Sequence, residues 1–167
     1  MVPISETEAL YMADLIDAMP HEQRARVVAR FGEIAEALRS RGLAKSVADP
    51  AERHRLGLEH FKLGLACPFL ENESCSIYAQ RPASCREYLV TSPAANCSAP
   101  NAENTQMVGL PVRVSRVLYR FGDGRGEDEA RWMPLAMLLE WAAAHRKDAQ
   151  PKLPGPDLLR NFANKLL

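Results

Sequence analysis

All four cysteines of this chain, Cys67, Cys75, Cys85 and Cys97, fall within one 31-residue stretch, and that stretch is where helical periodicity fails. Between residues 64 and 104 the apolar spacing weakens, and Pro68, Pro82, Pro93 and Pro100 break up the sequence. Irregular backbone of that length is uncommon inside a compact domain, because ordering it costs entropy that regular packing does not return. A bound metal would hold such a segment, since its binding free energy then counts as folding free energy. The segment therefore predicts helical flanks with a thiol-clamped loop between them.

The flanks bear this out. Ser5 and Glu8 have capping-box spacing ahead of Leu10, Ala13, Leu15 and Ile16, which predicts a first helix. Pro20 ends or restarts the chain. A second helix is expected over 21–41, with Val27, Val28, Phe31, Ile34, Ala35 and Leu38 on one stripe and Gly42 as its stop. Asp49-Pro50 is a cap followed by proline at the first helical position, opening a third helix through Phe61. Beyond the cysteines, Val114, Val117, Leu118 and Phe121 follow helical spacing up to Gly122, and Asp123-Gly124-Arg125-Gly126 reads as a turn. Pro134 is expected to open an apolar helix through Leu135, Leu138, Leu139, Trp141 and Ala142. Residues 151–156 read as a linker and 157–167 as a terminal helix. The expectation is a mostly α fold over 1–167, a single domain of about six helices around one core, with any sheet small.

Charge and compartment narrow the chemistry. The 21 basic residues balance 21 acidic ones, so no general attraction to nucleic acid or anionic membrane is indicated. Charges interrupt every apolar run before ~18 residues, so no membrane span is expected. The first residues lack the basic-then-apolar order of a signal peptide. The expected compartment is the cytoplasm, where thiols stay reduced.

Seven, nine and eleven residues separate the successive cysteines, which is not the C-x-x-C pair of a zinc ribbon or a thioredoxin-like site. Cysteines can instead be inert buried residues, but four gathered in one irregular segment argue against that. Disulfides would allow three pairings, none selected by the sequence, and a reducing compartment disfavours all of them. Cys67 precedes Pro68, which biases it to extended backbone. Cys85 lies just after Pro82, at an expected helix start whose partial positive charge, with Arg81 and Arg86, should lower its thiol pKa. Four thiolates on one zinc ion leave a net charge of about −2, so these arginines are candidate counter-charges. Phe69 and Ile77 are expected to form a dry shell around the sulfurs.

Other groups carry less. His54 and His60 stand six residues apart, not at the i, i+4 spacing of a helical metal pair. His60 is the one nearest the cluster in sequence, while His21 and His145 read as surface residues. Arg113, Arg116 and Arg120 read as a solvated stripe. Sequence order shows no Ser-His-Asp or Cys-His arrangement.

Cys67-Pro68-Phe69-Leu70, Cys75-Ser76-Ile77-Tyr78, Arg81-Pro82 and Cys85-Arg86-Glu87-Tyr88, in that order, resemble the YkgJ-like cysteine-cluster family, described as zinc- or iron-chelating. The close match covers Cys67 to Tyr88, and Cys97 resembles a later cysteine of many members. The resemblance implies a metal site on Cys67, Cys75, Cys85 and Cys97, with Arg81, Arg86, Tyr78 and Tyr88 around it. The tyrosines would pack over the cluster with their hydroxyls at its edge. Members usually carry an upstream C-x-x-C-C group before a segment similar to Val2-Pro3-Ile4-Ser5. Here no cysteine precedes Cys67, so the natural start lies further upstream, the chain was shortened, or this member lost that half. Flagellin lysine N-methylase resembles this family through the same type of cluster, which implies a link to protein methylation.

Three readings stay open on the residues alone. The first is a metal-binding protein holding zinc in a closed four-thiolate site, for structure, storage or delivery. The second is an iron–sulfur protein with an enzymatic role related to protein lysine methylation. The third is a helical interaction module, engaging a protein partner, without metal.

Overall fold

The Ser5–Glu8 pair opens the first helix as its spacing predicts. The Ser5 hydroxyl accepts the Glu8 N–H at 3.2 Å, and the Glu8 carboxylate accepts the Ser5 N–H at 2.9 Å. Helix α1 (Glu6–Asp17) follows and buries Ala9, Met12, Ala13 and Ile16. Chain placement comes from a computed structural model, which describes residues 2–44, 50–93, 103–121, 132–147 and 154–166.

Helix α2 (His21–Arg39) buries Val27, Phe31, Ile34, Ala35 and Leu38. Val28, expected on that stripe, is exposed instead, because it lies on the flank of the face the core covers. Gly42 sits at φ +66, in the left-handed region that a glycine enters without steric cost, and so ends this segment as expected. Helix α3 (Pro50–Lys62) buries Leu56 and is closed by Gly64 at φ +62. Asp49, expected as its cap, lies outside the described residues.

Strands β2 (Leu70–Glu71) and β3 (Ser74–Cys75) then form a minimal antiparallel hairpin. Its two turn residues, Asn72 and Glu73, have φ of 48° and 60°, the paired positive angles of a type I′ turn. A one-turn 310 helix (Tyr78–Gln80) leads to helix α4 (Ala83–Glu87). Helix α5 (Val114–Leu118) is shorter than the run expected through Phe121. Gly122 and the Asp123–Gly126 turn lie outside the described residues.

Trp132–Pro134 forms strand β4, which pairs with strand β1 (Pro3–Ser5) in antiparallel register, Ile4 opposite Met133. This corrects the expectation that Pro134 opens a helix. Pro134 has the extended angles φ −59 and ψ 132, and the helical turn begins one residue later. The strands were not visible in sequence because three residues are too few to show alternation. A 310 turn (Leu135–Met137) continues into helix α6 (Leu138–His145). Helix α7 (Gly155–Leu166) starts inside the expected linker and docks through Phe162 onto Phe121, ring centroids 5.9 Å apart.

The fold is mostly α, with seven α-helices and two small sheets among the described residues. No described helix is long and apolar enough to cross a membrane. One buried cluster joins α1, α2, β1, β4 and α6 to Phe69 and Ile77 of the cysteine segment, with Cys75 packed against it. A second gathers Ile34, Leu38, Leu43, Leu56 and Ala136. The irregular segment is thus pinned to the main core by two apolar side chains that flank Cys75 in sequence.

Candidate metal centre

Three separate local structures present three of the cysteines. Cys67 follows the Gly64 turn, Cys75 ends β3, and Cys85 is the third residue of α4. Cys97 lies outside the described residues. Cys67, Cys75 and Cys85 are free thiols.

The turn at Cys67 is tight. The Leu70 N–H donates to the Cys67 carbonyl at 2.9 Å, and the Phe69 N–H donates to the Cys67 thiol. Phe69 and Ile77 are both buried in the main core, and Cys75 packs against that cluster. Ser76 ties the turn to the hairpin, its N–H and hydroxyl donating to the Phe69 carbonyl at 2.8 and 3.0 Å.

The three thiols lie within electrostatic reach of one another. Burial pushes the Cys67 thiol up, with Cys75 adding to the effect and the Phe69 N–H and Arg30 opposing it. Cys67 as a residue is exposed, and burial is still the largest of these causes. Burial likewise pushes Cys85 up to about 11, with Cys67, Cys75 and Glu8 acting in the same direction and Arg81 against them. This corrects the expectation of a lowered Cys85 pKa. A five-residue helix has a weak dipole, and its open end already faces the Glu8 carboxylate. Partial burial and like charges outweigh both that dipole and Arg81.

Such a set suits a thiophilic cation. Soft thiols such as Cys67 and Cys85, made costly to ionise by burial and by their neighbours, gain from a shared positive ion. Among the described residues, no three His, Cys, Asp or Glu side chains are already closed into a ligand set. The three sulfurs are close enough for their charges to interact but are not arranged as a coordination set.

The surrounding residues differ in part from expectation. Arg81 lies over the Tyr78 ring, 3.7 Å from its centroid, and donates through Nε to the Tyr78 carbonyl at 3.2 Å. Tyr78 and Tyr88 are exposed at 65% and 47%, rather than packed over the sulfurs. Arg86 donates to the carbonyls of Arg81, at 2.9 Å, and Ala79, so it braces the chain between the 310 helix and α4. His60, the histidine nearest the cluster in sequence, has a buried Nδ1 without a hydrogen-bond partner, and burial lowers its pKa to about 4. The His54 side chain lies outside what the structure describes. His145 stacks on Trp141, and its Nδ1 lies 2.8 Å from the Trp141 carbonyl oxygen.

Sequence reasoning missed three contributors. Arg30 of α2 donates to the Leu70 carbonyl at 2.5 Å and to the Glu71 carboxylate at 2.7 Å, and its charge reaches Cys67. Nothing in the sequence separates it from other arginines on that helix. Glu87 accepts the Ser115 N–H at 3.0 Å and its hydroxyl at 2.5 Å, joining α4 to α5. Tyr119 donates to the Pro3 carbonyl at 3.2 Å and meets the Ser84 hydroxyl at 3.0 Å, while Ser84 also donates to Pro3. These long-range partners leave no periodic trace.

No curated protein and no solved structure matches the chain. A family model named CxxCxxCC, described as "Putative zinc- or iron-chelating domain", matches residues 14–108, more than half of the sequence and a span containing all four cysteines. By that match, this chain belongs to the CxxCxxCC family.

Proposed function

We propose that the chain is a metal-binding domain that holds its ion on Cys67, Cys75, Cys85 and Cys97, and that the ion staples the irregular 64–104 segment to the helical core. The observation that carries this reading is that three thiols from three separate stretches of chain come near one another, with Cys67 and Cys75 both close enough for their charge to act on Cys85. Membership of a chelating family supports it independently. Zinc is the ion this donor set fits: four thiolates make a closed tetrahedral site, and no close C-x-x-C run of the ferredoxin kind is present. Arg30 and Arg81 would offset the excess negative charge of four thiolates. Such thiols function reduced, in keeping with a cytoplasmic setting.

Elemental analysis and acid-labile sulfide assay of anaerobically purified protein test the proposal. One zinc per chain without sulfide is the expected result. Iron with sulfide would move the site to the iron–sulfur class, where a role related to protein lysine methylation becomes the reading to pursue. Neither metal, in protein that also fails to take up added zinc, would leave a helical interaction module.

A further inference from the structure

The start of α4 has no cap of its own. Pro82 precedes it and offers no side-chain hydrogen bond, yet helix N-termini leave backbone N–H groups that need acceptors. The missing acceptor comes from 75 residues away: Oε1 of Glu8 takes the Ala83 N–H at 2.7 Å. Its other oxygen, Oε2, takes the Ser5 N–H and the Ser5 hydroxyl, each at 2.9 Å. One carboxylate therefore caps two helices. Cys85 lies two residues beyond Ala83, with its N–H donating to the Pro82 carbonyl at 3.1 Å. Ser84 and Glu87 hold the rest of α4 to Pro3, Tyr119 and Ser115.

We infer that Glu8 is a positioning residue of the metal site, locking the start of α4, and with it the Cys85 thiol, to the N-terminal cap of α1. The inference rests on the metal-binding reading above. Groups that orient ligands without touching the ion typically affect affinity by ten- to a hundredfold. Glu8 meets that description through geometry: its bond to Ala83 decides where α4 begins and which way its first turn faces.

Glu8→Gln separates this role from plain helix capping. Glutamine keeps the length but has one acceptor oxygen, so it cannot serve both Ser5 and Ala83. Ala83→Pro removes the competing N–H and suits the first position of a helix. Pro82, at φ −54 and ψ 155, already has the extended backbone required before a proline. Ser5→Ala weakens the α1 cap while keeping the Glu8–Ala83 bond.

The test is cobalt(II) titration of the metal-free 167-residue chain, read at the thiolate-to-cobalt charge-transfer band and the ligand-field bands. Glu8→Gln should weaken cobalt binding by about tenfold or more and shift the ligand-field bands. Glu8→Gln with Ala83→Pro should stay as weak as Glu8→Gln alone, because both helix starts are then satisfied while the tether between them is still missing. Ser5→Ala should lower the thermal midpoint yet bind cobalt like wild type. Unchanged affinity and bands in Glu8→Gln, in a wild type that does bind cobalt, would overturn the positioning role. Equal weakening by Ser5→Ala and Glu8→Gln would overturn it too, by assigning the effect to the α1 cap. A wild type lacking any thiolate-to-cobalt band would instead overturn the metal-binding reading itself.

Discussion

The ring of Phe69 meets that of Phe31 edge to face, with centroids 5.3 Å apart and planes at 78°, so the residue two places after Cys67 is anchored to α2. Phe69 is 1% exposed and its carbonyl accepts both hydrogen bonds from Ser76. Truncating a buried phenylalanine removes its transfer free energy and leaves a cavity, at a cost of about 3–5 kcal/mol. Phe69→Ala should lower stability by that order and weaken metal uptake, because Cys67 and Cys75 lose their shared support. Denaturant melts with parallel zinc titrations check this; a change under ~1 kcal/mol would show that Phe69 is not an anchor.

Glu73 occupies the second position of a two-residue type I′ turn at φ +60, where a glycine has no steric penalty. Its side chain is exposed. Glu73→Gly should stabilise the hairpin that ends in Cys75 by roughly 0.5–1 kcal/mol, despite the entropy that glycine adds to the unfolded chain. Hydrogen exchange at the Leu70 and Ser76 amides reports the change, and faster exchange in the variant would contradict it.

His60 makes stability depend on pH. Its folded pKa is lowered from 6.5 to about 4 by burial, so between these values the unfolded state binds the extra proton. The folded state therefore loses stability as pH falls from 6.5 towards 4, and is unaffected by this group above 7. Solvent reaches part of the ring and screens the effect, so the loss is about 1 kcal/mol by pH 4.5. Comparing urea melts of wild type and His60→Leu at pH 7.5 and 4.5 isolates it: the variant should lose less stability on acidification. Parallel losses in both proteins would mean that His60 titrates normally.

Cys85 should matter to stability mainly through the ion. In zinc-loaded protein, Cys85→Ser should cost several kcal/mol, on the order of the binding free energy that one thiolate supplies. In metal-free protein the same exchange should cost about 1 kcal/mol or less, since Cys85 is only partly buried. Equal thermal midpoints of wild type and variant, in protein shown to contain metal, would exclude a structural site.

Much of the helical frame was legible because it is local. The Ser5–Glu8 box, the apolar stripe from Val27 to Leu38, and the glycine stop at Gly42 act within a turn or two of their own helix, so spacing alone exposes them. The cysteine segment was legible as irregular because apolar periodicity fails around its thiols, but the packing of Phe69 and Ile77 that pins it to the core was not. The limits appear where partners are distant. The β1–β4 pairing joins Ser5 to Trp132, and nothing near either residue announces the other.

The amino-acid order by itself determined which segments become helices, and where the thiols cluster, since both depend on neighbours along the chain. The tertiary structure decided the electrostatic setting of those thiols. Burial, the neighbouring Cys67 and Cys75 and the Glu8 carboxylate together outweigh Arg81 and raise the Cys85 pKa that the local helix start was expected to lower. Field and desolvation depend on distance through space, and that distance exists only once the chain has folded.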